Sequence, residues 1–131
     1  SNQSDIAVAS YVRVTLGSEH YDIGGNFASN TFTAPVTGKY QLNVNVRIDA
    51  VANNSTYYLC YLTTSNQGYY QTLDSDAVSL SYFCFVISVV ADMDANDTAY
   101  IDIYQAGGTQ QTDIVGTGGD PVTHFSGYLL G

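Results

Sequence analysis

The residues best suited to chemistry in this sequence are the carboxylates between Asp92 and Asp97. Asp92, Asp94 and Asn96 repeat the first ligand spacing of a calcium loop, in which carboxylate and amide oxygens surround the ion. The pattern then departs from an EF-hand, because Asp97 replaces the required glycine and Ile103 replaces the final glutamate. We expect a polar hairpin turn here. Asp92, Asp94 and Asp97 remain the candidate metal ligands, with calcium as the candidate cofactor.

Catalytic groupings are harder to find. Catalysis requires a nucleophile, an acid–base pair or a metal cage in a cleft. The two histidines, His20 and His124, lie near opposite ends of the chain, and no Gly-x-Ser-x-Gly elbow frames a serine. The sequence also offers no evident pair of carboxylates for glycoside hydrolysis. It therefore predicts a protein that is not an enzyme.

Tyrosine is the most conspicuous residue type for binding. The chain has twelve tyrosines, and Tyr57-Tyr58 and Tyr69-Tyr70 are adjacent pairs. Neighbours in a strand point to opposite faces, so one member of each pair should lie at a surface or an interface. Tyrosine supplies amphipathic contact area at low entropic cost, and it can also stack on sugar rings. Tyr57, Tyr69 and Tyr70 are the candidate ligand contacts; the alternative is tyrosine used for its β propensity.

The elements that must position these residues are strands. Glu, Lys and Met each occur once, whereas the β-favouring Tyr, Val and Thr are abundant. Apolar and polar residues alternate from Tyr40 to Asp49, and a first strand is expected over 6–16. The segment from Tyr82 to Val90 is apolar on both faces, so it is either central in a sandwich or pressed against a second subunit. Eight to ten strands are expected, in one all-β sandwich domain spanning 1–131.

Charge limits the partners. Twelve acidic residues oppose three basic ones, giving a formal charge of −9. Such a surface repels phosphate backbones and anionic membranes, so we expect neither nucleic acid binding nor membrane insertion. It suits an extracellular or virion-surface protein, although simple solubility would explain it too. Cys60 and Cys84 lie in apolar strands; buried free thiols are favoured over a disulfide, which stays open.

Three motifs together resemble a known family. Tyr21-Asp22, the run FTAPVTGKY from Phe32 to Tyr40, and the closing FSGYLL from Phe125 to Leu130 follow one another with wide spacing. In this order they resemble the globular head domain of complement C1q, in the C1q/tumour necrosis factor superfamily. Leu42 replaces the aromatic residue usual after Gly-x-Tyr. The resemblance extends over the whole chain.

The resemblance implies a jelly-roll β-sandwich of about ten antiparallel strands that forms a homotrimer. It also implies a head domain cut from a longer, stalked protein. The core family motif falls on Phe32, Pro35, Gly38, Tyr40, Gly127 and Tyr128. In the family the aromatic and glycine of the last strand lie toward the threefold axis, which places Phe125 and Leu129 at the subunit interface. Phe83 and Phe85, in the segment that is apolar on both faces, are expected there too.

The function expected from these observations is non-enzymatic. It is a trimeric head that binds a receptor protein or a cell-surface glycan and mediates adhesion at the tip of a fibrous protein of phage, viral, microbial or secreted origin. The alternative is a purely structural trimerisation cap of a fibre or stalk, with no ligand of its own.

Overall fold

Ten strands make up the regular structure of a computed structural model that describes residues 3–15, 27–28, 30–76, 79–116 and 122–131. Their bounds, in chain order, are β1 Tyr11–Arg13, β2 Phe27–Ala28, β3 Thr31–Thr33, β4 Gly38–Asp49, β5 Tyr57–Thr64, β6 Gly68–Leu73, β7 Tyr82–Met93, β8 Thr98–Ala106, β9 Asp113–Ile114 and β10 His124–Leu129. Within these ranges the structure contains no helix, and therefore no helix that is long and apolar enough to cross a bilayer.

The strands form two antiparallel sheets. The larger sheet has the order β2-β3-β8-β5-β6, and β1 pairs with β8 next to β3. The smaller sheet has the order β10-β4-β7, and β9 pairs with the end of β4. Strands distant in sequence are neighbours in both sheets, as in a jelly roll. The predicted all-β jelly-roll sandwich is confirmed.

The core lies between the two sheets, and the alternation in β4 explains why. Tyr40, Leu42, Val44, Val46 and Ile48 are all fully buried, and the polar residues between them face away from the core. On the opposite sheet the same period buries Tyr58, Cys60 and Leu62 of β5 and Ile101 and Ile103 of β8. Each sheet therefore buries one face and exposes the other.

The turn before β4 is held by a tyrosine hydroxyl. Tyr40 donates its hydroxyl proton to the carbonyl oxygen of Val36 at 2.6 Å and accepts a hydrogen bond from the Val36 amide at 3.3 Å. Pro35 lies exposed in this turn. Gly38 does not adopt a positive φ. Its constraint is space: a Cβ there would lie 2.7 Å from Cδ1 of Leu129.

The first strand is shorter than the alternation over 6–16 predicts. In the described part of that range, Tyr11–Arg13 alone is a strand, because Ala9 adopts a positive φ of 60° and interrupts the extended chain before it. The backbone still follows the larger sheet, since Val14 donates from its amide to the Ile101 carbonyl at 2.9 Å. Val14 is buried and Tyr11 exposed, so the predicted alternation of faces holds there.

A buried amide secures the chain after β8. Gln105 is fully buried, and its Nε2 donates to the carbonyl oxygens of Gly107 and Gln110 at 3.0 and 2.8 Å. Its Oε1 accepts from the Thr112 amide at 3.3 Å. Thr112 in turn bonds the hydroxyl of buried Tyr58. Satisfied buried polar groups of this kind fix one loop conformation at small net cost.

Candidate functional site

Six tyrosines lie together on the outer face of the larger sheet. They are Tyr11, Tyr57, Tyr61, Tyr70, Tyr100 and Tyr104, here called the tyrosine face. The register of the strands brings them together, because Tyr11 pairs with Tyr104 across β1 and β8, and Tyr61 pairs with Tyr70 across β5 and β6. Directly paired residues project on the same side of a sheet. Tyr70 and Tyr11 are 63% and 58% exposed, so much of this aromatic area faces solvent.

The rings contact one another in two orientations. Tyr61 stacks on Tyr70 with 5.7 Å between ring centroids, and Tyr57 stacks on Tyr104 at 6.2 Å. Tyr11 stands at 86° to Tyr61, also at 6.2 Å between centroids, and lies 4.8 Å from Tyr104. Edge-to-face and offset pairs at these distances are mutually favourable. The cluster therefore combines two stacked pairs with one ring, Tyr11, that is nearly perpendicular to Tyr61.

An open pocket of about 280 Å³ lies on this face, lined by Tyr11, Tyr61, Thr63 and Asp102. Gly68 gives the Tyr61 ring its room, because a Cβ at Gly68 would come within 2.5 Å of the Tyr61 hydroxyl. The pocket thus has aromatic walls, and its lining residues carry three hydroxyl groups and one carboxylate.

The charges beside the pocket are paired. Arg13 Nε donates to Asp102 Oδ1 at 2.7 Å, and its guanidinium lies 3.7 Å from the centre of the Tyr100 ring. The ion pair and the cation–π contact together hold Arg13 flat against the sheet. The face therefore combines a neutral ion pair with many hydroxyl groups.

Two of the three predicted ligand-contact tyrosines lie on the tyrosine face. Tyr57 and Tyr70 belong to it, whereas Tyr69 points the other way and packs against the core, so its assignment as a contact needs correction. The reason is the strict alternation in β6. Sequence reasoning missed the other four tyrosines. The spacing of Tyr100, Asp102 and Tyr104 indicates one shared face, but only the strand register shows that Tyr11 and Tyr61 join them.

A second exposed face, on the smaller sheet, is apolar. Val86 and Val90 of β7 are 59% and 51% exposed, and Tyr128 of β10 is 56% exposed. We call these three residues the valine face. The register pairs Val90 and Tyr128 with the same β4 residue, Gln41, from its two sides. The apolar side chains therefore flank the central strand.

The polar side chains between these apolar residues form hydrogen bonds within the sheet. Gln41 donates from Nε2 to Ser88 Oγ at 2.9 Å and to Asn43 Oδ1 at 3.1 Å. Where the structure describes this face, its charged side chains form pairs near the two ends of β4: Lys39 with Asp92 at 2.7 Å, and Arg47 with Asp49 at 2.9 Å. The hydrogen bond that Arg47 donates to Asp49 raises the pKa of Arg47. Among the described residues, the middle of this face is uncharged.

Of the four residues predicted for a subunit interface, two are buried in the core. Phe85 is fully buried and Phe125 is 9% exposed; both belong to the core, so their placement at an interface is wrong. Phe83 packs partly against the same core, in edge-to-face contact with Phe85 at 5.0 Å. Leu129 is exposed. The outward residues of β7 include Val86 and Val90, because the inner side of that strand is filled by the core.

The three candidate calcium ligands are not brought together. In the described ranges no group of three His, Cys, Asp or Glu side chains could hold a metal ion. Asp92 is paired with Lys39. Asp97 accepts hydrogen bonds through Oδ2 from the Asp94 amide at 2.9 Å and from Asn66 Nδ2 at 3.1 Å. This carboxylate closes the predicted polar hairpin turn between β7 and β8, so the metal assignment needs correction.

The two cysteines differ in environment. Both are free; Cys60 is buried and Cys84 is exposed on the outer side of β7. Burial raises the pKa of Cys60 to about 12, with a smaller contribution from the charge of Asp102. The prediction of two buried thiols is therefore correct only for Cys60. His20, Tyr21 and Asp22 lie outside the described residues.

Comparison with known proteins supports the fold. No family model matches the sequence, and no curated protein matches it. Among solved structures, the globular domain of zebrafish complement 1qA protein aligns over 98% of this chain and 93% of that chain, with a TM-score of 0.59 and 16% sequence identity. The Phe32, Gly38, Tyr40 and Gly127 positions of the motif lie where β3, β4 and β10 meet. The chain therefore has the C1q-like fold, as its sequence motifs predict.

Proposed function

We propose that this domain is a non-enzymatic trimeric head that binds a ligand outside the cell or on a virion surface. The observation that carries the proposal is the combination of a C1q-like fold with two exposed faces of different chemistry. An apolar face suits association of copies, and a tyrosine-rich face suits recognition. The ligand would be a receptor protein or a cell-surface glycan, met at the tip of a fibrous protein.

The valine face is the proposed contact between subunits. Each copy carries a formal charge of −9, so copies can associate only where acidic side chains stay apart. The middle of the valine face meets this condition, because its charged pairs lie toward the ends of β4. Burying the exposed parts of Val86, Val90 and Tyr128 from each copy would also supply a favourable hydrophobic contribution.

Light scattering on the purified chain tests the assembly. We expect a mass about three times the 14.1 kDa of one chain. Val86→Asp should convert the trimer to a monomer, because it would bury uncompensated carboxylates at the contact. Thr72→Asp is the matched control, since Thr72 is an exposed strand residue of the other sheet, and that variant should remain trimeric.

The two possible failures are distinguishable. A wild-type chain that stays monomeric at all concentrations overturns the trimer. A Val86→Asp variant that remains a trimer, with the melting curve of the wild type, keeps the trimer but removes the valine face from the contact. If the trimer forms but no receptor or glycan is bound, the domain is the trimerisation cap that the sequence offers as an alternative.

A further inference from the structure

The side chains of the tyrosine face indicate the chemical class of its ligand through their arrangement, their hydroxyl groups and their charge. The cross-strand rows place Tyr11, Tyr104 and Leu59 side by side, followed by Arg13, Asp102, Tyr61 and Tyr70 in the next row. Adjacent strands lie about 4.8 Å apart, so the face crosses four strands over roughly 14 Å. A flat area of this size is wide enough for more than one sugar ring.

The ring orientations suit the C–H surface of a sugar. The negative face of an aromatic ring attracts the weakly positive C–H bonds of a pyranose, whose hydroxyl groups project sideways. Tyr61 and Tyr70 are stacked and nearly parallel, with 18° between their planes, and the Tyr11 ring is nearly perpendicular to that of Tyr61. A sugar ring placed in the pocket would therefore contact an aromatic surface on two sides.

Polar groups for sugar hydroxyls line the same pocket. Asp102 uses Oδ1 for Arg13, and a carboxylate has about four acceptor positions in total. Thr63 contributes a hydroxyl that can both donate and accept. A few well-placed polar groups in a largely apolar site are what fixes the orientation of a small ligand.

Charge excludes anionic ligands from this face. Lys and Arg total three in the chain, and Arg13, Lys39 and Arg47 are each paired with an aspartate. A sialylated or sulfated glycan would therefore meet a surface of formal charge −9 with every lysine and arginine already paired. A cationic ligand is disfavoured too, because Arg13 already occupies both the carboxylate of Asp102 and the ring of Tyr100.

We infer that the tyrosine face binds an uncharged glycan, with one sugar ring in the pocket that Tyr11, Tyr61, Thr63 and Asp102 line and neighbouring sugars on Tyr70 and Tyr104. This inference rests on the proposed function as a ligand-binding head and names the class of its ligand. A protein partner is the alternative outcome of the test, because tyrosine and arginine are also enriched at protein contacts.

The test is a titration of the purified chain with a panel of neutral oligosaccharides, containing hexoses, fucose or N-acetylhexosamines, followed by saturation-transfer NMR and calorimetry. Sialylated and sulfated counterparts form the second arm. We expect neutral members to bind, with the strongest saturation on ring C–H protons. Tyr11→Ala and Tyr70→Ala should each weaken binding by about tenfold, whereas Tyr11→Phe should retain most of it.

Tyr82→Ala is the matched control, because Tyr82 is a similarly exposed tyrosine on the outer side of the smaller sheet. It should bind the same glycans with unchanged affinity. Melting curves of all variants confirm folding; Tyr11 and Tyr70 are mostly exposed, and their removal leaves the core intact.

Several results would overturn the inference. They are absence of binding by every neutral glycan at millimolar concentration, preference for the charged set, or equal loss in Tyr82→Ala. Binding to cells that survives enzymatic deglycosylation would point to a protein receptor, which removes the glycan but keeps the proposed head function. Glycan affinity and molecular mass are measured independently. A chain that binds glycan but is monomeric by light scattering would therefore contradict the trimer and leave the glycan inference intact.

Discussion

Gly127 illustrates a residue whose role depends on space alone. A Cβ at this position would lie 2.8 Å from Cδ2 of Leu42, which is fully buried, and 3.5 Å from the Phe32 ring. Gly38 has a similar close approach, 2.7 Å to Cδ1 of Leu129, but that leucine is exposed. The same added methyl group therefore meets a fixed neighbour in one case and a movable neighbour in the other.

Gly127→Ala and Gly38→Ala should consequently differ in stability. We expect Gly127→Ala to lower the free energy of unfolding by about 1–3 kcal/mol, because the core must shift to admit the methyl group. Gly38→Ala should change it by less than about 0.5 kcal/mol, since Leu129 can rotate away. Denaturant unfolding at one protein concentration compares the two. Equal losses would contradict the assigned difference between the neighbours.

Cys60 makes stability depend on pH in the alkaline range. Burial raises its pKa from 9.0 to about 12, so the folded protein keeps a proton that the unfolded chain loses above about pH 9. The contribution is fully present below pH 9 and is lost as the pH rises toward 12. We expect the wild type to lose about 1 kcal/mol more than Cys60→Ala between pH 8 and pH 10. Parallel pH profiles of the two proteins would contradict this.

The same thiol should resist labelling. In a Cys84→Ser background, Cys60 is the remaining cysteine, and a thiol reagent should modify it only as fast as the protein unfolds. Denaturant should restore rapid labelling.

At the scale of elements, the hairpin between β7 and β8 is stabilised by the carboxylate of Asp97. Asp97→Ala removes the acceptor for the Asp94 amide and for Asn66, and we expect a loss of about 1 kcal/mol. The loss should be equal in calcium and in chelator. Asp94→Ala, which removes an exposed carboxylate from the same turn, is the control and should cost less. A calcium-dependent rise in the melting temperature that Asp97→Ala abolishes would restore the metal site.

Strand positions were predictable from the sequence to different degrees. In β4 only one face is apolar, so alternation determines both the strand and its inward side. In β7 both faces are apolar, and alternation groups Phe83 with Phe85 and Val86 with Val90 without showing which pair faces the core. Phe85, which the sequence places at an interface, faces the core. The packing of the core decides between the two faces, because Phe85, which is larger than valine, fills the space between the sheets.

The tyrosine face lay further beyond sequence reasoning. Its members come from β1, β5, β6 and β8, which are separated by long stretches of chain and meet only through the sheet order. Adjacent pairs such as Tyr57-Tyr58 indicate that one ring points outward. They cannot indicate which outward rings become neighbours, because this depends on the cross-strand register.

At the scale of the whole molecule, the motifs near the two ends of the chain were the most reliable guide. FTAPVTGKY and FSGYLL are distant in sequence, yet β10 pairs with β4 along Tyr40 to Asn45, next to Phe32. The order and wide spacing of these motifs are what make the sequence resemble the C1q head domain. The C1q-like fold was therefore predictable, whereas the chemistry of its two outer faces required the three-dimensional arrangement.

The two faces lie on opposite sides of one sandwich, and this has a consequence for binding strength. If copies associate through the valine face, each tyrosine face is left pointing away from the assembly. Repeated ligands on one surface would then be engaged several at a time, and the overall avidity could exceed the single-site affinity by about 10²–10⁴-fold. A weak contact made by a few tyrosine rings would then suffice for firm attachment to a densely decorated surface, while isolated ligands in solution would be released quickly.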